Sequence, residues 1–150
     1  MRIAMTADHN GTVMKTQLAA WLEAHGHDVD DRSPVIGDDP VDYPPLCSDV
    51  CRRIVDCHAD WAVVVGGSGS GEQIACNKIR GIRAALCHNV FTAQIARGHN
   101  DANVLVLGAK VVTPELAAAI VAAWCETAFK GGPHQHRLDQ IAVLERGDWL

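Results

Sequence analysis

The densest chemical signal in this chain is Gly66-Gly67-Ser68-Gly69-Ser70-Gly71-Glu72. Four glycines within six positions let the backbone turn tightly and aim several N–H groups at one point. Such a point suits an anion, or an oxyanion that develops during a reaction. A plain strand-to-helix turn needs fewer glycines. The segment is not a Walker loop, because no Gly-Lys-Ser/Thr ending follows, and it does not fit a dinucleotide fingerprint. Glu72 lies at its rim. Taken alone, Glu72 reads as an ordinary carboxylate in the first turn of a helix, where the helix dipole favours it. Ser68 alone reads as a common loop serine.

Other polar groups gather in short runs. Asp8-His9 follows the first apolar run, and as a bare pair it reads as a surface turn. His99-Asn100-Asp101 reads as a loop at a helix end. His134, His136 and Arg137 form a basic cluster that alone reads as a solvated helix face. Eight histidines in 150 residues single out none of them. Six cysteines, Cys47, Cys51, Cys57, Cys76, Cys87 and Cys125, contain no CxxC pair and match no common zinc spacing. They read as free thiols, most of them small core residues. No metal site and no cofactor is expected.

The elements that must position these groups follow from the apolar rhythm. Short apolar runs at 3–7, 82–87 and 104–107, and the unbroken run Trp61–Val65, predict strands buried on both faces. A shorter strand is expected at 27–31. Helical spacing covers Met14, Leu18, Trp21 and Leu22, with Asn10 or Thr12 as cap and Gly26 as stop. Ser33 to Pro45 reads as a loop, with a helix from about Leu46 to Cys57. Further helices are expected from the glycine segment to Lys78, from Val90 to Arg97, after Thr113-Pro114-Glu115, and from His134 to Glu145. Alternating strands and helices predict a single domain over 1–150. Its fold class is α/β: a three-layer α/β/α sandwich with a five-stranded parallel sheet, Rossmann-like. Ligands bind such sheets at the carboxyl ends of the strands. Asp8-His9, the glycine segment and His99-Asn100-Asp101 are all expected there.

Composition narrows the partners. Apolar residues make up 48% of the chain, enough for a real core, and the net charge is −5. That balance argues against nucleic acid or an anionic membrane as main partner. No apolar run reaches the roughly 18 residues of a membrane span. The N-terminus starts as a strand without the features of a signal peptide, so a cytoplasmic protein is expected.

Taken together, several stretches resemble ribose-5-phosphate isomerase B and the related galactose-6-phosphate isomerases. They are Ala7-Asp8-His9-Asn10-Gly11, Asp42-Tyr43-Pro44, Gly66 to Lys78, Gly81-Ile82-Arg83-Ala84-Ala85-Leu86, His99-Asn100-Asp101-Ala102-Asn103 and His134-Gln135-His136-Arg137. They occur in the family's order and span nearly the whole chain. Many members use a cysteine just before the glycine loop as base. Here that place holds Val65 or Gly66. Another version, common in actinobacterial members, carries Gly-Glu-Gln and uses the glutamate, which matches Gly71-Glu72-Gln73. The resemblance therefore implies an enzyme that interconverts ribose 5-phosphate and ribulose 5-phosphate, with Glu72 as base. Ser68 and the N–H groups of Gly69, Ser70 and Gly71 would stabilise the enediolate, with Gly67 also binding substrate. His99 would open the sugar ring and Asn100 would hold a hydroxyl. Asp8 and Tyr43 would contact the sugar, with His9, Lys110, His134 and Arg137 toward the phosphate. It also implies a homodimer or homotetramer with shared sites, in which His99 and the Arg137 region reach the site of the partner chain.

Two positions depart from the family pattern. Lys110 and Pro133 stand where members usually carry arginine. Lysine is a point charge, and proline offers no donor in place of arginine's planar fork. The alternative substrates are a tetrose 4-phosphate, an allose or galactose 6-phosphate, or a free sugar. A non-catalytic sugar-phosphate binding module would have lost arginines but would need no base. A flavin or nucleotide domain rests on fold alone and suits the glycine segment poorly.

Overall fold

The computed structural model describes residues 1–33 and 40–150. The strands are β1 (Arg2–Ala7), β2 (Asp28–Asp31), β3 (Trp61–Gly66), β4 (Ala84–Leu86) and β5 (Val104–Gly108). They form one parallel sheet in the order β2-β1-β3-β5-β4. Residues that alternate along β3 serve opposite faces. Val63 and Val65 join Ile3, Met5, Leu105 and Leu107 under α1 (Thr12–Ala24), α4 (Val90–Asn100) and α5 (Pro114–Glu126). Ala62 and Val64 join Ala4, Val104 and Val106 under α2 (Tyr43–Val55) and α3 (Ser70–Cys76). Both sheet faces are thus covered, which is why these strands read as continuous apolar runs. The result is the expected three-layer, Rossmann-like sandwich.

Local departures from expectation have clear causes. The first of the two helices on that second face starts at Tyr43 rather than Leu46. Pro44 and Pro45 sit in its first turn, where missing N–H groups break no helical bond. Neither Asn10 nor Thr12 caps α1; the cap position is Gly11. Asp8 instead closes the turn that leads into the helix, accepting the N–H groups of Asn10 at 2.8 Å and Gly11 at 3.0 Å. The strand expected at 82–87 shrinks because Ile82 N–H donates to Ile79 in a turn. The loop expected at 33–45 lies partly outside the described residues.

The sheet also fixes where each segment points. Gly66 pairs with Gly108 at the carboxyl edge, and Ala62 pairs with Val104 at the amino edge. His99 and Asn100 end α4 and precede β5, so they lie at the amino edge, against the expectation that they join the glycine segment. Asp101 there binds Arg83, the residue just before β4. Four residue steps of about 3.3 Å put roughly 13 Å of strand between the two edges.

The last helix, α6 (Pro133–Glu145), buries none of its residues. Ile141 and Leu144 remain about half exposed beside a hollow of about 430 Å³ that they line with Ile82 and Ala102. No helix among the described residues is long and apolar enough to cross a membrane.

Candidate active site

The carboxyl edge of β3 hands the chain to the glycine segment. Gly69 takes φ +82°, a left-handed conformation that a side chain would strain, and α3 starts at the next residue. Neighbouring strands brace the loop. Ala109 N–H donates to the carbonyl of Gly66 at 2.8 Å, and Lys110 N–H to that of Gly67 at 3.0 Å. Lys110 is thereby held beside the loop at the end of β5. Tyr43 comes from the first turn of α2, and its hydroxyl rests on Gly71, where a Cβ would lie 2.5 Å away. Ser70 N–H points to Ser68 Oγ at 3.3 Å.

Glu72 is only 4% exposed, though it sits in the first turn of α3. Its carboxylate lies over the Cα of Gly66: a Cβ there would stand 2.1 Å from Oε1. Residue 66 therefore has to be glycine for Glu72 to occupy this place. Among the described residues no side chain bonds or ion-pairs the carboxylate. Burial, reinforced by the nearby negative charge of Asp8, pushes it above the ordinary carboxylate range, while its own backbone N–H offsets part of this. The outcome is a partly desolvated carboxylate with no cation beside it among the described residues.

Behind it lie thiols. Cys76 falls one turn further along α3, and Cys47 and Cys51 face it from α2; all three are buried. The Cys47 thiol is pushed up by its hydrogen bond with Cys76 and then by burial, so it stays protonated. Burial likewise pushes Cys87 up to about 11. These sulfurs serve as packing and not as nucleophiles.

Asp8 and His9 close the site from β1. Asp8 is 7% exposed and already receives three donors, the third being the Asn10 amide at 3.0 Å. His9 is exposed and flanked by that amide and by Val41 N–H. Asn10 also borders Gly67, 3.3 Å from where its Cβ would be. The sequence offers Asn10 as a helix cap and as part of the Ala7–Gly11 stretch, without a role in the site; its place directly after Asp8-His9 is the available signal. Among the described residues no three His, Cys, Asp or Glu side chains converge as metal ligands.

Asp8, His9, Tyr43, Gly67, Ser68, Gly69, Ser70, Gly71, Glu72 and Lys110 thus come together at one edge. His99, Asn100, His134 and Arg137 do not. His99 stacks on His134 with ring centroids 3.9 Å apart, and Arg137 reaches His134 Nδ1 at 3.4 Å. Lys130 lies 3.4 Å from His99. Burial, and then the charges of His99, Arg137 and Lys130, hold His134 below its ordinary value and favour its neutral form.

A glycine cradle and a buried carboxylate thus stand at the carboxyl edge of a parallel sheet, the place where enzymes of this fold class take small ligands. The chain belongs to the Ribose/Galactose Isomerase family, whose pattern matches residues 3–141. Ribose-5-phosphate isomerase B of Mycolicibacterium paratuberculosis is 42% identical over 147 residues, 97% of this chain and 92% of that one. D-erythrulose-4-phosphate isomerase of Pectobacterium atrosepticum is 36% identical over 146 residues, 97% and 95% of the two chains. The solved structure of Clostridium thermocellum ribose-5-phosphate isomerase B superposes with a TM-score of 0.94 at 39% identity, covering 98% and 99%.

Proposed function

We propose that this chain interconverts ribose 5-phosphate and ribulose 5-phosphate, with Glu72 as the base. The observation that carries the reading is the buried Glu72 carboxylate, unpaired among the described residues and lying over Gly66 at the mouth of the glycine cradle. Glu72 takes the proton from C2 of the open-chain aldose and returns it to C1. A second proton passes between O1 and O2. The negative charge on the enediolate oxygens is met by Ser68 and the backbone N–H groups of Gly69, Ser70 and Gly71. Asp8 and Tyr43 border the sugar, and His9 and Lys110 face the phosphate end.

Ring opening needs His99, with Asn100 beside it, and phosphate binding needs His134 and Arg137. All four stand at the far edge of the same chain, so a second copy supplies them. The unburied α6 with its half-exposed Ile141 and Leu144 supports such a homodimer or homotetramer. Residues 1–150 act as one sugar-phosphate isomerase domain, working in the cytoplasm.

One observation favours a second substrate. Lys110 and Pro133 replace a planar guanidinium grip by a point charge and a residue with no donor. A shorter or differently held sugar phosphate would then be preferred. The test is isomerisation of ribose 5-phosphate, erythrose 4-phosphate, allose 6-phosphate, galactose 6-phosphate, free ribose and free allose. The first reading expects the highest kcat/KM on ribose 5-phosphate. A clear preference for another sugar overturns that substrate and leaves the reaction type.

A further inference from the structure

We propose that Lys130 holds the phosphate group of the substrate, supplying the positive charge that Pro133 does not. That the phosphate belongs to a sugar rests on the isomerase reading. Lys130 lies in the turn between α5 and α6, and its side chain is held along its length. Its backbone N–H donates to the carbonyl of Gly98 at 3.0 Å. Its Cε lies 3.4 Å from where a Cβ on Gly98 would stand. The stem therefore runs across α4 at a residue with no side chain, and the ammonium arrives 3.4 Å from His99 Nε2. A lysine laid along a surface in this way loses less freedom on gripping an anion than one that waves in solvent.

Two cations gather here without a counter-ion. Arg137 reaches His134 Nδ1 at 3.4 Å, and His134 stacks on His99 with ring centroids 3.9 Å apart. Burial, and then the charges of His99, Arg137 and Lys130, favour the neutral form of His134, so both cations stand near one ring. Among the described residues neither Lys130 nor Arg137 pairs with a carboxylate; Asp101 at that edge is taken by Arg83 and Arg97. Two unpaired cations repel each other, and a phosphate beside them removes that cost. On α6, residues 133 and 137 are four apart and share a face, so an arginine at 133 would point the way Arg137 does. Pro133 offers no donor there. Lys130 brings a charge to the same histidines from the preceding turn, as a point charge with three rotatable donors.

Calorimetric binding of inorganic phosphate and the KM for ribose 5-phosphate test this together. Lys130→Met keeps the stem over Gly98 and removes the charge. It is expected to bind phosphate about 10-fold more weakly, the worth of roughly one charge-assisted hydrogen bond, and to raise KM by a similar factor, with the loss falling on KM rather than kcat. Lys130→Glu is expected to weaken phosphate further. Pro133→Arg added to Lys130→Met is expected to recover the affinity, which a merely structural role for Lys130 would not allow. Unchanged phosphate affinity in both Lys130 variants, or no recovery with Pro133→Arg, overturns the proposal. A loss confined to kcat also overturns it, because Lys130 would then act on His99 and not on phosphate. Wild type that binds phosphate through Lys130 but isomerises no sugar phosphate sinks the isomerase reading and spares this inference. Ribose 5-phosphate turned over by Lys130→Met with unchanged KM does the opposite.

Discussion

Glu72 is the proposed base, and its environment sets three expectations. Glu72→Gln keeps the size but cannot accept a proton. It is expected to lower kcat by about 10²- to 10⁴-fold, the usual worth of a general base, with substrate binding retained. The pH profile follows from burial, which raises the carboxylate above 4.5. Because the base must be ionised, kcat/KM is expected to fall as pH drops through that raised value. Stability has the opposite sign. The folded state holds this proton more tightly than the unfolded chain, so the group's contribution is full below 4.5 and is lost as pH rises through the folded value. Glu72→Gln is therefore expected to melt above wild type at neutral pH, with the gain disappearing below the ordinary carboxylate range. Gly66→Ala places a methyl where Oε1 lies, 2.1 Å away. The glutamate side chain can swing aside, so the variant is expected to fold while losing turnover by about the same factor as Glu72→Gln. From residue types alone Glu72 was a helix-start carboxylate; only the neighbouring Gly71 and Gln73 suggested more. The part played by Gly66 was illegible, because a glycine's value lies in what occupies the space it leaves.

Most elements were legible in the sequence because β1, β3 and β5 are covered on both faces and are therefore largely apolar, unlike the edge strand β2, Asp28–Asp31. The errors cluster where side chains replace backbone. Asp8 orders the turn into α1 from three residues before Gly11, and the prolines at 44 and 45 begin a helix instead of ending a loop. The placement of His99 failed for a topological reason. In a parallel sheet a segment that follows a strand lies at the carboxyl edge, and one that precedes a strand lies at the amino edge. A run of polar residues does not override that rule. What fixes the amino-edge end of α4 is Arg97, only 7% exposed. Its guanidinium lies 4.7 Å from the Trp61 ring and 5.7 Å from that of Trp124, and it donates to Asp101 at 2.9 Å and the Ala102 carbonyl at 2.7 Å. Asp101 itself adopts φ +41°. Arg97→Met keeps much of the stem but leaves these acceptors short of a donor. It is expected to cost about 1–3 kcal/mol in urea unfolding, and to weaken catalysis through the adjoining His99.

For the whole molecule, the separation of Glu72 from His99 is the main consequence of the fold. One chain holds both halves of the expected machinery at opposite edges of its sheet. If two copies complete each other's sites, Glu72→Gln and His99→Asn are each inactive alone but complementary when mixed. After unfolding and refolding together at equal amounts, half the dimers are mixed and each carries one intact site. About a quarter of wild-type activity is then expected, from the symmetry of the pairing. No recovery would mean that Glu72 and His99 act within one chain, and full activity of His99→Asn alone would mean that His99 is dispensable. Charge and composition spoke to this scale only by exclusion, since nothing in a single sequence marks which surfaces meet.

The most direct test of the central claim is proton NMR of ribose 5-phosphate in D₂O, with wild type and Glu72→Gln side by side. Wild type is expected to form ribulose 5-phosphate while solvent deuterium enters the sugar at the carbons between which the proton moves. Glu72→Gln is expected to bind the sugar yet show neither product nor exchange. Exchange and turnover at the wild-type rate in Glu72→Gln would contradict the assignment of Glu72 as the base.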